Sequence, residues 1–559
     1  MQSTPNPSAA PAPTVANDDD DAQYPRGLKL FLVTIALVSA MFLMSLDGTI
    51  LATAIPSITN QFNSLGDVAW YGSSYLFAIC AFQLLYGKLY IVYRAKTVFL
   101  AAVALFELGS LIAGVAPTSA TLIVGRTVSG TGAAGMLSGA VIALRGAVPL
   151  RRRPMYSGIM YAMHGISSVI GPLLGGVFTD RVTWRLCFLI NLPFGLVTVV
   201  FIALFLPNRA PTQPGLPLKG KLKQFDLPGT FFLIPSVVSL LLALQWGGSK
   251  YPFNDGRIIA LFVVAGVLAA AFAVTEIWQG DLATVPVRIV KNKNILGALW
   301  YVVFLGGAML VFSFYLPIWF QTIQGVSATH SGVHTLPMVL SLVLFSIMSG
   351  GLATATGQFV PLLIVSSIIA TVGAGLLSTL QVDSTIGYWL GYQVLMAAGV
   401  GIGLQNAFLV GQVAVPLNDQ AVAISVLSFA QTLSSSIFLA IGQAVFQNQL
   451  QSALRIQAPE VNPKDVIAGG VTAIRTLVTA DQLPSVLGAC NTAITQTFYV
   501  AVVANGLSLA GPLIMNWLSL KQEAETDEAM NKNFLTQKTE TDENQPAQAT
   551  GMELKDATN

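Results

Sequence analysis

The chain has 559 residues, of which 54% are hydrophobic and only 10% charged, less than half the charged share of a soluble domain. A water-soluble enzyme is thereby excluded, and a net charge of +2 is too small to point to nucleic acid. Three cysteines neither build a disulfide scaffold nor match a zinc spacing.

Residues 1–28 form an expected disordered cytoplasmic N-tail, rich in proline and carrying the acidic run Asp18–Asp21. Continuous apolar runs of about 20 residues follow, the length of a membrane helix. They begin near Leu30, Trp70, Thr97, Ala120, Tyr156, Leu186, Pro228, Ile258, Ile295, Val333, Gln358, Ile386, Ala421 and Gln496. The runs do not alternate, so a β-barrel is excluded. A cleavable signal is not expected, because the first apolar run starts late and has no cleavage site. One connection is long, residues 447–494, and residues 521–559 form a polar, acidic C-tail.

Lysine and arginine placement predicts the orientation. With the N-terminus in the cytoplasm, the even-numbered loops hold Lys88, Arg94 and Lys96; Arg145 and Arg151–Arg153; Arg209, Lys219, Lys221 and Lys223; and Arg288, Lys291 and Lys293. The short odd-numbered loops hold only Arg181, Arg185, Lys250 and Arg257. Both termini are therefore expected inside, and the long loop outside. A Gly-x-Leu string at Gly87 recurs at Gly350, each at the inner end of an even span. The two coincide if two six-span bundles flank two extra spans, a parallel repeat of the kind transporters use. The expected units are a first bundle over 29–206, a linker with two extra helices over 207–278, and a second bundle over 279–520.

Charge inside the spans is the sharpest signal, because a charged group at the bilayer centre costs at least ~2.5–3.5 kcal/mol. Asp47, Glu107 and Arg126 each lie six to nine residues from the outer end of a span. At about 1.5 Å per residue they share a depth and are expected to meet. Two carboxylates against one guanidinium leave one negative charge unbalanced, so one carboxyl is poised to take and release a proton. Which of the two does so stays open. Spans nine and twelve carry aromatics and amides inside otherwise apolar runs. Trp300, Tyr301, Gln393, Gln405 and Asn406 are the candidate substrate contacts, an aromatic wall with a few amides that suits a lipophilic ligand. His164, near Gly171-Pro172, reads as a packed, hydrogen-bonded histidine. A disulfide between Cys187 and Cys490 is left open.

Four stretches carry a family resemblance: Leu46-Asp47-Gly-Thr-Ile-Leu-Ala-Thr-Ala-Ile-Pro56; the loop beginning Gly87-Lys88 and running to Arg94 and Lys96; Gly125-Arg126-Thr-Val-Ser-Gly130-Thr-Gly132-Ala-Ala-Gly135; and Gly171-Pro172-Leu-Leu-Gly175-Gly176 followed by Trp184-Arg-Leu-Cys-Phe-Leu-Ile-Asn191-Leu-Pro193. From Lys29 to Leu520 the chain resembles the major facilitator superfamily, and within it the fungal fourteen-span drug:proton antiporters. The resemblance implies an all-α integral membrane protein with the major facilitator fold and 14 transmembrane helices as 6+2+6. It implies a proton-coupled efflux transporter exporting a toxin, secondary metabolite or drug by alternating access, with a vacuolar basic amino-acid or siderophore carrier as the alternative. Gly171, Pro172, Gly175 and Gly176 resemble the antiporter motif, with Ser167 where the family has a further glycine. Arg126 resembles an arginine linked to proton transfer. Gly87, Lys88, Arg94 and Lys96 resemble the gating loop, although Ile91 replaces an acid of the wider pattern. The expected partners are a lipophilic small molecule, protons and the lipid bilayer, with no nucleic acid, no cofactor, no metal and a monomeric state. The expected location is the plasma membrane, with the vacuolar membrane as the alternative. No HExxH, GxSxG or Walker pattern is present, so neither hydrolysis nor direct ATP use is expected.

Overall fold

The computed structural model describes residues 24–208, 225–461, 474 and 478–517, apart from 63, 65, 66, 249 and 417. Most of both expected tails lies outside these residues, as do Arg209, Lys219, Lys221 and Lys223. Among the described residues, fourteen helical segments are long and apolar enough to cross a membrane, and there is no β-strand beyond one isolated bridge. The first six main helices are α1 (Leu28–Phe62), α2 (Val68–Val92), α3 (Ala95–Gly114), α4 (Ser119–Ala147), α5 (Arg153–Arg181) and α6 (Asn191–Phe205). The extra pair is α7 (Leu227–Trp246) and α8 (Gly256–Gln279). The last six are α9 (Lys293–Trp319), α10 (Leu336–Thr356), α11 (Val360–Leu377), α12 (Ile386–Val413), α13 (Gln420–Gln457) and α14 (Leu483–Ser508).

Glycine sets the close packing, since lipid offers no hydrophobic drive between helices. A Cβ at Gly132 of α4 would strike the Phe106 backbone of α3, and one at Gly125 would lie 2.6 Å from the Ala113 nitrogen. The second bundle repeats the device, with Gly373 of α11 against Met396 of α12 and Gly399 against Ala370. The two bundles meet in matching ways at the end of the molecule where α1 begins, here called the inner end. Gly87 of α2 abuts Ser425 of α13, and Gly350 of α10 abuts the Pro154 carbonyl of α5. The repeated glycines of the sequence thus make equivalent contacts across the bundle seam.

The long outer connection is shorter than expected. Helix α13 runs on to Gln457, and α14 begins at Leu483 rather than near Gln496. The polar start of α14 is helical because its side chains are satisfied. Asn491 accepts from Trp319 Nε1 at 2.7 Å and donates to the Leu380 carbonyl at 2.9 Å. Thr492 and Thr495 bond back to carbonyls of their own helix. All three cysteines are buried free thiols, so Cys187 and Cys490 are not joined.

Candidate functional site

Asp47 of α1 and Arg126 of α4 form an ion pair with both side chains at most 1% exposed. Arg126 also donates through Nε to the Tyr71 carbonyl at 3.0 Å, and its guanidinium lies 4.4 Å from the Tyr75 ring centre. On the carboxylate side, Asn191 of α6 donates to Asp47 at 3.2 Å and to Ser110 of α3 at 3.1 Å. Asp47, with Arg126 and Asn191, thereby ties together five helices of the first bundle.

Glu107 shares the depth but not the pair. Its neighbour Phe106 is turned onto α4 by the Gly132 contact, which rotates Glu107 toward α6. There Gly195 makes room, because a Cβ at that position would run into the carboxyl group. Both Glu107 oxygens are buried without a hydrogen-bond partner. Ser110, one turn further along α3, joins this face to Asp47 through Asn191. The expected meeting of two carboxylates with one guanidinium is therefore corrected to a direct Asp47–Arg126 pair with Glu107 beside it. In the sequence Asn191 stands out only as part of a motif; a buried amide beside a buried charge is the signal that marks it.

The Gly-Pro stretch packs α5 on α1. A Cβ at Gly171 would strike Thr49 Oγ1, and one at Gly175 would strike Thr53 Oγ1. Ser167, where the family has glycine, is fully buried; its hydroxyl donates to the Phe42 carbonyl at 3.1 Å, and its own carbonyl accepts from Thr49 at 2.9 Å. Pro172 sits inside an unbroken helix. Gly176 is the exception: nothing lies within 4 Å of a Cβ built there, so it takes no part in this interface.

At the inner end the loop cations find carbonyls. Lys88, only 6% exposed, donates to Leu282 O at 3.1 Å just beyond α8, and Lys96 donates to Leu206 O at 3.0 Å at the end of α6. Cations suit helix C-termini, where carbonyls lack partners. Arg94 is exposed at the start of α3. Sequence reasoning missed the neighbouring cluster. Asp226 accepts from the backbone of Gly229 at 2.6 Å, from Thr284 N and Oγ1 at 3.2 and 3.0 Å, and from the Gln279 amide. Burial disfavours its charge, but hydrogen bonds from the Glu276 side chain, Gly229, Thr284 and Gln279 outweigh it and hold the Asp226 carboxyl below its ordinary range. A few residues on, Arg288 grips Asp419 at the start of α13 through two contacts and also bonds Asp281 at 2.7 Å. The hydrogen bonds it donates to Asp419 and Asp281 raise its already high pKa.

The expected substrate contacts separate. Tyr301 is fully buried inside the second bundle, its hydroxyl 2.6 Å from Ser366 Oγ. Gln393 is fully buried, and its amide donates to the Trp389 carbonyl one turn earlier at 3.0 Å. Trp300 is exposed beside α14 and donates to Leu507 O at 2.7 Å. A cleft of about 370 Å³ lies there, lined by Phe304, Phe438, Gln496 and Tyr499 among others. Asn406 donates to Ser349 Oγ and Ile402 O, each at 2.8 Å. Gln405 alone reaches the seam between bundles: its amide donates to Ser346 O at 2.7 Å, and a Cβ at Gly158 of α5 would lie 2.8 Å from its oxygen. Tyr301 and Gln393 are thus corrected from cavity wall to bundle interior, because the rotation of α9 and α12 turns them toward α11 and their own helix.

The seam is closed at the inner end. Helix α12 is buried almost without break from Met396 to Val413, and α13 is buried from Gln420 to Ser428. Arg145 of α4 donates to Gln420 at 3.1 Å, and Tyr161 of α5 stacks on Phe408 of α12 at 5.3 Å. Further out, His164 and Ser168 on α5 and Thr127 on α4 are exposed.

Two helical bundles closed at one end, with a buried ion pair at the depth of the membrane, define a multi-pass transporter. The chain belongs to the Major Facilitator Superfamily, whose sequence pattern matches residues 37–439, a family of transporters and not of enzymes. It is 49% identical over 496 residues to the efflux pump roqT of Penicillium rubens, covering 88% of this chain and 92% of that one. It is 47% identical over 505 residues to the MFS-type transporter astH of Aspergillus oryzae, covering 90% of each. To the MFS-type efflux pump MFS1 of Trichophyton rubrum it is 46% identical over 508 residues, or 91% of this chain and 95% of that one. Its fold is similar to that of a double-tryptophan XylE mutant, with TM-score 0.56 at 12% identity over 89% of this chain and 98% of that one. It is also similar to the human organic anion transporter MFSD10, with TM-score 0.51 at 13% identity over 86% of this chain and 100% of that one.

Proposed function

We propose that this protein is a proton-coupled antiporter that exports small, largely hydrophobic compounds, such as a fungal secondary metabolite, toxin or drug. In this reading it works as a monomer in the plasma membrane with both termini in the cytoplasm. The observation that carries the coupling is the buried Asp47–Arg126 pair, joined through Asn191 to the helix that bears Glu107. A carboxyl with no hydrogen-bond partner at that depth is a proton acceptor in waiting. Names of relatives that include "efflux pump" support the direction of transport, and the lysine and arginine bias supports the orientation.

In this cycle the outward-open protein releases its cargo and takes a proton at Glu107 or Asp47. The Gly171–Gly175 face of α5 lets that helix rock against α1 within the first bundle, and the loop at Gly87, with Lys88, Arg94 and Lys96, releases the inner end. The proton leaves inward, and a new cargo molecule binds at the seam beside Gln405.

The test uses a pump-deficient yeast host, a panel of lipophilic fluorescent cations and fungal toxins, and a protonophore. Expression is expected to lower accumulation, and the protonophore, Glu107→Gln or Arg126→Ala is expected to abolish the effect. Each variant is first confirmed at the cell surface. Export that persists with the protonophore present, or in both variants, overturns proton coupling; raised accumulation overturns export; and a fluorescent fusion confined to the vacuolar rim overturns the plasma-membrane assignment.

A further inference from the structure

Helix α5 touches two neighbours along two defined faces. Ser167, Gly171 and Gly175 face α1. Pro154, Gly158 and Gly165 face α10, where a Cβ at Gly165 would lie 3.0 Å from Leu342 and one at Gly158 would lie 2.7 Å from the Ser346 carbonyl. At 100° per residue these faces bound two sectors, a wide one and a narrow one between them that overlaps the edge of the α1 face, where Ser157 shares the direction of Gly175. One carries Met155, Ile159, Ile166, Ile170, Leu173 and Val177, all apolar, with Met155, Leu173 and Val177 strongly exposed. That is the face for lipid. The other carries Ser157, Tyr161, His164 and Ser168, all polar and spaced as one helical stripe. It points into the seam between the bundles.

The stripe changes character along its length. At the open end His164 and Ser168 are exposed, and His164 Nδ1 is held 2.9 Å from Ser45 Oγ of α1, which leaves its other ring nitrogen to the seam. At the closed end Tyr161 stacks on Phe408, and Ser157 is only 5% exposed. The hydroxyls of both Tyr161 and Ser157 are buried without a hydrogen-bond partner. A buried unpaired hydroxyl is costly, so a place is needed where these groups are satisfied. The Gln405 oxygen, against Gly158 in the same closed zone, is also unpaired.

We infer that Ser157, Tyr161, His164 and Ser168 form the track on which the cargo is hydrogen-bonded as it crosses the seam, and that the cargo carries hydroxyl or carbonyl groups on an apolar frame. The inference rests on the transport reading above. In the closed-inside arrangement only the outer half of the track is reachable. When the inner end opens, Tyr161 and Ser157 exchange their unpaired state for contacts with cargo or water. The apolar sector of α5 takes no part.

The track is tested by cysteine labelling in the full-length protein, with a membrane-impermeant charged maleimide applied to intact cells and to inverted vesicles. The native cysteines are buried, and the unaltered chain gives the background. Ser168→Cys is expected to label from one side several-fold faster than Ile159→Cys, which lies in the lipid sector. Ser157→Cys is expected to resist reagent from that side and to label from the other several-fold faster than Ile159→Cys. Equal labelling of all three from both sides overturns the track. Tyr161→Phe removes only the hydroxyl and keeps the ring on Phe408. It is expected to reduce export of a hydroxyl- or carbonyl-bearing compound several-fold against a hydrocarbon-like dye, and an equal effect on both overturns the cargo chemistry. If the unaltered chain exports nothing, the transport reading falls, while the labelling pattern still decides the track on its own.

Discussion

The Asp47–Arg126 pair permits a prediction whose magnitude differs between its two halves. In Asp47→Asn, Arg126 keeps the Tyr71 carbonyl and the Tyr75 ring but loses its counter-charge. A guanidinium cannot shed its proton, so the charge stays buried and uncompensated, at about 3–5 kcal/mol. In Arg126→Met, chosen to keep side-chain volume, Asp47 keeps the Asn191 amide at 3.2 Å. A lone carboxylate can escape by binding a proton, so the cost is about 1–3 kcal/mol. The double variant buries no charge at all and is expected to unfold at a higher temperature than Asp47→Asn, since apolar replacement of a buried pair is often neutral. Thermal unfolding in detergent can be followed with a thiol-reactive fluorophore, because Cys80, Cys187 and Cys490 are all buried until the helices part. Transport is expected to fail in all three variants. An Asp47→Asn protein as stable as the original, or a double variant weaker than either single one, would refute the reasoning.

Gly171→Ala is expected to destabilise by about 1–3 kcal/mol through its clash with Thr49, whereas Gly176→Ala stays within about 0.5 kcal/mol; the same unfolding assay separates them. Gly87→Val presses on Ser425, where even a Cβ would lie 2.9 Å from the hydroxyl oxygen, and is expected to hold the inner end ajar. Its readout is faster labelling of Ser157→Cys from the termini side, and an unchanged rate counts against the contact. Asp226 has a depressed carboxyl pKa in the folded protein, so its stabilising effect is complete above the unfolded value near 4 and fades as pH falls through the folded one. The stability gap between the original protein and Asp226→Asn is therefore expected to be full at neutral pH and to shrink in acid; a gap that widens in acid contradicts the hydrogen-bond pattern.

Depth was readable from the sequence, and rotation about a helix axis was not. Hydropathy placed thirteen span starts within a few residues of the helices, because lipid tolerates little but apolar side chains. It missed the polar outer turns of α14, which are satisfied by Trp319 and Leu380 on distant segments. Asp47 and Arg126 were legible as a pair because two opposite charges at one depth have few other partners. Glu107 was placed at the right depth and pointed the wrong way, since the α3–α4 glycine contacts decide its direction. Tyr301 failed for the same reason. Gly176 read as part of a small-residue face, yet one residue of offset turns it 100° away from α1. The polar stripe on α5 was present in the spacing, but His164 taken alone suggested only packing. The Asp226 cluster joins residues more than fifty positions apart, and no local pattern announces it.

The extra pair α7–α8 breaks the near two-fold equivalence of the bundles. Trp246 at the end of α7 packs edge-on against Trp70 of α2 at 6.3 Å, and Phe225 stacks on Tyr93 at 6.4 Å. Beside them, a Cβ at Gly248 would lie 3.5 Å from Gln447 of α13. Helix α7 therefore covers the α2–α13 flank of the seam, and α8 packs on α7. Among the described residues the α5–α10 flank has no such cover. A molecule dissolved in the bilayer therefore meets an added helical layer on one side of this protein and the α5–α10 contact itself on the other.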